Sequence, residues 1–250
     1  MDSRERVYLT LNHEVPDRVP VDFWASKGAW DSISRSSGMT PDDFQNARDI
    51  DFRYINGPVY TGRQLGDGFD IWGVRRTSAH VTTAFGAEEY SEVSESPLAN
   101  KTTADEIIDY PGWPNPDDYD YSVIKKQAER VRDLGRIVVF MGDRLNRVAQ
   151  LKPAMYLRGV ERILLDLAIL PEVAAAIFDQ VSSFYKIYLT RILEAADGLI
   201  DIVLTGDDFG QQRGMMISPP MWNDFLAPGF AEYMDIIRGS GTKSMHHTCG

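Results

Sequence analysis

Apolar strand-like runs alternate with helical ones through the second half of the chain, and this alternation limits the fold more than any other feature. Ile137-Val138-Val139-Phe140 is a continuous β-prone run of the kind buried on both faces. Residues 160–170 carry a helical pattern. Residues 171–196 carry a longer one, with Pro171 at its first position and Asp197-Gly198 at its end. Apolar residues at 173, 174, 177, 181, 184, 185, 188, 192 and 193 keep the 3.6-residue period, so this helix packs along one stripe. Its Phe184, Tyr185 and Tyr188 therefore read as core or interface, not as an aromatic ligand box. Residues 200–205 return to strand, 219–238 to helix with a kink at Pro228, and 242–247 to strand. Such alternation builds a parallel sheet covered by helices, whose right-handed crossovers lead to a barrel or to an open doubly wound sheet. No Gly-x-Gly-x-x-Gly or Gly-x-x-x-x-Gly-Lys follows any strand, which weighs against the nucleotide-binding version.

The first half is less regular. Residues 3–12 read as a short helix ended by Pro16 and Pro20, 19–24 as a first strand, 30–47 as helix broken at 38–41, and 50–55 as a second strand. Three β-prone segments at 70–74, 79–83 and 89–93 are separated by Gly and Arg, as in a β-hairpin excursion near 70–95. Three prolines within 109–118 forbid regular structure, and a helix over 119–134 follows, capped by Gly135. The expected organisation is one domain over 1–250. Five candidate core strands begin near 19, 50, 136, 200 and 242, so a closed eight-stranded barrel would need about three more.

The net charge of −11 argues against non-specific attraction to nucleic acid or to an anionic membrane surface. No apolar run reaches the roughly 18 residues of a membrane span. Met1-Asp2-Ser3-Arg4-Glu5-Arg6 lacks the apolar stretch of a secretory signal, and a single cysteine excludes an internal disulfide framework. The expected location is a reducing cytoplasm.

Candidate chemistry gathers at the ends of the expected strands. His247 and Cys249 lie two apart on a strand-like run and project to one face, as two zinc ligands do. The plain alternative is a hydrogen-bonded core histidine and a small buried thiol. Asp207 and Asp208 follow the 200–205 strand in a Gly-flanked loop, as a metal or substrate carboxylate pair or as loop caps. Asp208 and Gln211 are candidate substrate contacts in the same loop, and Asp22 in the first candidate strand and Asp143 after 137–141 are further ones. Trp24 and Trp30 read as core aromatics or as the pocket mouth. His246 alternates away from His247, and His13 and His80 read as solvated.

Several segments together resemble the uroporphyrinogen decarboxylase superfamily. They are Ser3-Arg4-Glu5-Arg6-Val7 with the stretch from Leu11-Asn12-His13 to Val21-Asp22; Asp70-Ile71-Trp72-Gly73-Val74; Ser96-Pro97-Leu98 with Tyr110-Pro111-Gly112-Trp113; Leu157-Arg158-Gly159 with Leu170-Pro171-Glu172; Gly206-Asp207-Asp208-Phe209-Gly210; Ile217-Ser218-Pro219-Pro220-Met221-Trp222; and His247-Thr248-Cys249-Gly250. The resemblance spans nearly the whole chain and is closer to the superfamily's methyltransferase branch.

It implies an α/β fold, a (β/α)8 TIM barrel with its site at the carboxyl ends of the strands, here lacking the last strands. It also implies zinc-dependent methyl transfer to or from a corrinoid protein. In that chemistry a His-x-Cys pair, matched by His247 and Cys249, and a later cysteine hold the metal. No second cysteine exists here, so the resemblance implies a carboxylate in its place, with Asp207, in the loop after the preceding strand, as the expected third ligand and catalytic residue. The expected cofactors are zinc and a corrinoid carried by a partner protein; the expected partners are that protein, a small methyl donor or acceptor, and a second copy in a homodimer. Decarboxylation of uroporphyrinogen is the alternative within the family, but after Val21-Asp22-Phe23-Trp24 no arginine occurs until Arg35. A substrate with many carboxylates needs several bidentate cations. A non-catalytic barrel fragment or binding module is the alternative outside enzymes.

Overall fold

The computed structural model describes residues 1–83, 86–142 and 147–249. Three helices, α1 (Ser3–Leu11), α2 (Lys27–Ser37) and α3 (Pro41–Ala47), precede strands β1 (Phe52–Ile55) and β2 (Val59–Tyr60). A long antiparallel hairpin follows, β3 (Arg75–Thr83) and β4 (Gly86–Glu95). Then come α4 (Ala104–Ile108), β5 (Tyr119–Asp120), α5 (Val123–Asp133), β6 (Ile137–Phe140), α6 (Leu151–Arg158), α7 (Val160–Ile169) and α8 (Pro171–Ala196). The chain continues with β7 (Ile202–Gly206), the short pair β8 (Gly210–Gln211) and β9 (Gly214–Met215), α9 (Pro219–Phe225), α10 (Ala227–Gly239) and β10 (Lys243–His247).

The central sheet has the order β1-β6-β7-β10, and every pair is parallel. Its strands follow chain order, as consecutive staves of a barrel wall do, and the wall is open between β1 and β10. The fold is thus mixed α/β around a parallel sheet; these four strands do not close the (β/α)8 barrel that the sequence resemblance implies.

Side chains alternate between two environments along each strand. Val138, Phe140 and Val203 face a large core built around α8, whose Val173, Ile177, Val181, Tyr185, Leu189 and Ile192 are all buried. Ile137, Val139 and Ile202 face the other way, onto Val7 of α1, with Phe52, Tyr54, Leu204 and Met245 beside them. Among the described residues no helix is long and apolar enough to cross a membrane.

One expected strand is not formed. Residues 19–24 run as irregular backbone beside β1. Pro16 and Pro20 have no N–H to give a ladder. The Val21 N–H goes to the Asp51 carboxylate at 2.7 Å, while the Asp51 N–H reaches the Val21 carbonyl at 2.9 Å. A side chain thus takes the bond that a neighbouring strand would need.

Candidate functional site

The carboxyl ends of β1, β6, β7 and β10 open into a cavity of about 1080 Å³. Its floor is Tyr54, Met141, Leu204 and Met245, from the face of the sheet that α1 covers only partly. Trp24 to Gly28 form one wall and Glu89, Tyr90 and Ser91 of the hairpin another. Arg147 lies against the end of β7, where a Cβ on Gly206 would stand 2.6 Å from the arginine Cδ and would push that side chain aside. The Arg147 guanidinium sits 5.7 Å from the centre of the Trp24 ring, which is 62% exposed at the cavity rim. Trp30 instead packs edge-on against Phe23 and Phe44.

At one side of this cavity Asp208, His247 and Cys249 converge. The Cys249 Sγ lies 3.5 Å from His247 Nε2, and His247 Nε2 lies 3.9 Å from Asp208 Oδ1. One ligand atom from each of the three residues falls within 4.8 Å of the others. With bond lengths near 2.0–2.3 Å, the ligand atoms of a tetrahedral zinc are separated by roughly 3.3–3.8 Å. The sulfur–nitrogen separation already lies in that range, and the nitrogen–oxygen separation lies just above it. A thiol, an imidazole and a carboxylate are also the donor types that zinc takes. The arrangement fits a metal ion.

The backbone makes this convergence. His247 ends β10, whose parallel register sets it opposite Gly206 of β7. The Asp207 N–H donates to the His247 carbonyl at 3.1 Å, and the Phe209 N–H to Thr248 Oγ1 at 3.1 Å. These bonds hold the loop carrying Asp208 against the segment carrying His247 and Cys249.

Asp207, the expected third ligand, is not part of the cluster. Its carboxylate accepts the backbone N–H groups of Gln150, Leu151 and Lys152 at 2.7, 2.6 and 2.8 Å and so caps the amino end of α6. Burial pushes its pKa up to about 6, against the pull of those three donors. The neighbouring residue turns to the cavity, so the carboxylate position moves by one, from Asp207 to Asp208. Burial works to raise the Asp208 pKa, but the Lys152 ammonium, the Cys249 thiol and His247 outweigh it and the net shift is downward. The hydrogen bond to Asp208 holds Cys249 above its ordinary value, with the carboxylate's charge acting in the same direction.

The remaining candidates separate. Asp22 borders the cavity and accepts the Tyr54 hydroxyl at 2.6 Å; burial, then this bond, raises the Tyr54 pKa. Gln211 is exposed on β8 and does not border the cavity. Asp143 lies outside the described residues. His13 and His80 are exposed. His246 bonds Thr205 Oγ1 through Nδ1 at 2.8 Å and stacks on Phe209, and burial lowers its pKa. Lys152 and Arg147 are two of the cavity groups that escaped sequence reading. Neither sits in a local motif, since the partners that define them, Asp208 and Trp24, are far away in the chain.

No known family profile matches the chain, and no curated protein matches it. Among solved structures, a methyltransferase from Methanosarcina mazei superposes on 100% of this chain and 70% of its own, with a TM-score of 0.58 and 13% sequence identity. That likeness bears on the fold: the α/β arrangement around a parallel sheet is one that a methyltransferase also uses.

Proposed function

We propose that this protein is a zinc-dependent methyltransferase of the uroporphyrinogen decarboxylase superfamily that moves a methyl group to or from a corrinoid held by a partner protein. The observation that carries this reading is the convergence of Asp208, His247 and Cys249 within 4.8 Å at the carboxyl ends of parallel strands. The ordered sequence motifs and the fold shared with a methyltransferase support it.

Cys249, His247 and Asp208 would hold the zinc. A thiol bound to such an ion stays deprotonated near neutral pH, which supplies a nucleophile without a strong base. The chain's own residues do the rest. The Asp207 cap fixes the loop that carries Asp208, and Tyr54 with Asp22 gives the cavity floor a hydrogen-bonded polar pair. The methyl donor and acceptor share a cavity whose rim carries Trp24 and Tyr90. Its cationic lining residues, Lys27, Arg147 and Lys152, are matched by Asp22, Asp70, Glu89 and Asp208. That balance suits a substrate of low charge better than a polycarboxylate.

The test is demethylation of free methylcobalamin in the presence of a small thiol, followed by the change in the corrinoid spectrum. Zinc-dependent turnover by the wild type, lost in His247→Ala and Cys249→Ser, is expected. Turnover that survives both substitutions, or none in the zinc-loaded wild type, would sink the reading.

A further inference from the structure

Lys152 stands in the first turn of α6, where its N–H is held by Asp207 Oδ1, and its ammonium donates to Asp208 Oδ2. The Asp208 side chain is 24% exposed and that of Lys152 is 35% exposed on the cavity wall. The two carboxylate oxygens therefore serve different groups: Oδ2 faces the ammonium, and Oδ1 faces His247 Nε2. A carboxylate partly withdrawn from water is stabilised by a nearby cation. In the metal-free protein Lys152 is that cation.

We propose that Lys152 is a placeholder cation, which occupies Asp208 in the metal-free protein and gives it up when a divalent metal binds to Asp208, His247 and Cys249. This inference rests on the metal reading of the site. Its physical basis is that two cations cannot share one carboxylate without repelling each other, and the repulsion grows with the metal's double charge. Lysine is suited to the task because its compact charge rides on a flexible four-carbon stem that can withdraw along the cavity wall. The effect of Lys152 is therefore to weaken metal binding. The metal-free site stays ordered, and its affinity for metal is lower than the three ligands alone would set.

A lysine that only supports the fold would stabilise the protein with and without metal. A placeholder acts with opposite signs in the two states. Thermal melts of the full chain with a chelator and with zinc chloride, together with a zinc dissociation constant from competition, separate these roles. Lys152→Met is expected to melt ~2–4 °C below the wild type with chelator and to bind zinc about tenfold more tightly. Lys152→Gln, which keeps a hydrogen-bond donor, serves if the methionine variant does not fold and is expected to change affinity in the same direction. Lys152→Arg restores the charge and is expected to keep the wild-type affinity. Zinc binding by the wild type that is unchanged or weaker in both neutral variants overturns the placeholder role and leaves the metal reading standing. Absence of zinc binding in the wild type and all variants overturns both.

Discussion

The two ends of the central sheet handle charge in opposite ways. At the amino ends of the strands every buried carboxylate is surrounded by cations. Asp51 accepts from Ser3, Arg6, Arg18 and the Val21 N–H, and Asp201 from Arg4, Tyr8 and the Val138 N–H, with Arg132 in ionic contact. These residues tie α1 and the irregular 13–25 segment to the bottom of β1, β6 and β7. At the carboxyl ends the charges are fewer and their pairing is looser. Asp208 divides itself between Lys152 and the cavity, and His247 and Cys249 are exposed. The difference is the division of labour expected of barrel-type sheets, with stability at one face and chemistry at the other.

The largest expected effect comes from breaking the stable end. Asp51→Ala removes a fully buried acceptor and leaves Arg6 short of a partner, which is expected to cost about 3–5 kcal/mol in urea unfolding. Zinc affinity of the folded fraction is expected to stay within twofold of the wild type. A loss below 1 kcal/mol would mean that Asp17 alone can hold Arg6, with which it already makes a bidentate pair.

The ends should also differ in the sign of their pH dependence. Folded Asp207 holds its proton more tightly than an ordinary carboxyl of pKa 3.8, so its contribution is complete below that value and is lost as the pH rises through about 6. Asp49 at the other end behaves in the opposite sense. Its hydrogen bonds to Arg18 and then Arg136 depress it to about 2, so its contribution is present above pH ~4 and is lost as the pH falls through about 2. Replacing Asp207 with Asn is expected to remove up to about 3 kcal/mol of the stability decline between pH 4 and 7. Parallel urea-midpoint curves for wild type and variant across that range would contradict the assignment.

A smaller effect is expected from the candidate ligands themselves. His247→Ala and Cys249→Ser alter exposed side chains, so chelated protein is expected to unfold within ~0.5 kcal/mol of the wild type. Zinc affinity is expected to fall about a hundredfold. The smallest effect belongs to the rim. Trp24→Ala removes an exposed ring that contacts Arg147, and neither melting temperature nor zinc affinity is expected to change measurably. Methylcobalamin turnover is the measurement on which that variant can differ.

These contrasts also mark what the residues disclosed before the fold was known. Helix α8 was legible to both of its ends because its signals are local: Pro171 opens it, Asp197 closes it in a left-handed conformation, and one apolar stripe runs between them. The β6 and β10 strands followed from short-range periodicity in the same way, whereas Cys249 lies past the end of β10 and meets His247 from irregular backbone. Helix α6 was not legible. Pro153 lies inside its first turn, and the group that caps it, Asp207, comes more than fifty residues later. The 19–24 segment misled because its β-prone residues are real, while the bond that would extend the sheet is taken by the Asp51 side chain. The choice between Asp207 and Asp208 was equally non-local, since it depends on which of two adjacent carboxylates finds the end of α6.

The most direct test of the metal site is the absorption spectrum of the cobalt(II)-loaded protein. Cobalt takes zinc's ligands and reports both sulfur ligation and geometry. The expected result is a thiolate-to-cobalt charge-transfer band in the near ultraviolet with visible bands of tetrahedral intensity, the first lost in Cys249→Ser and the second weakened in Asp208→Asn. A spectrum of hydrated octahedral cobalt, or a charge-transfer band that persists without Cys249, would contradict the assignment of the carboxyl end of the sheet as a metal centre.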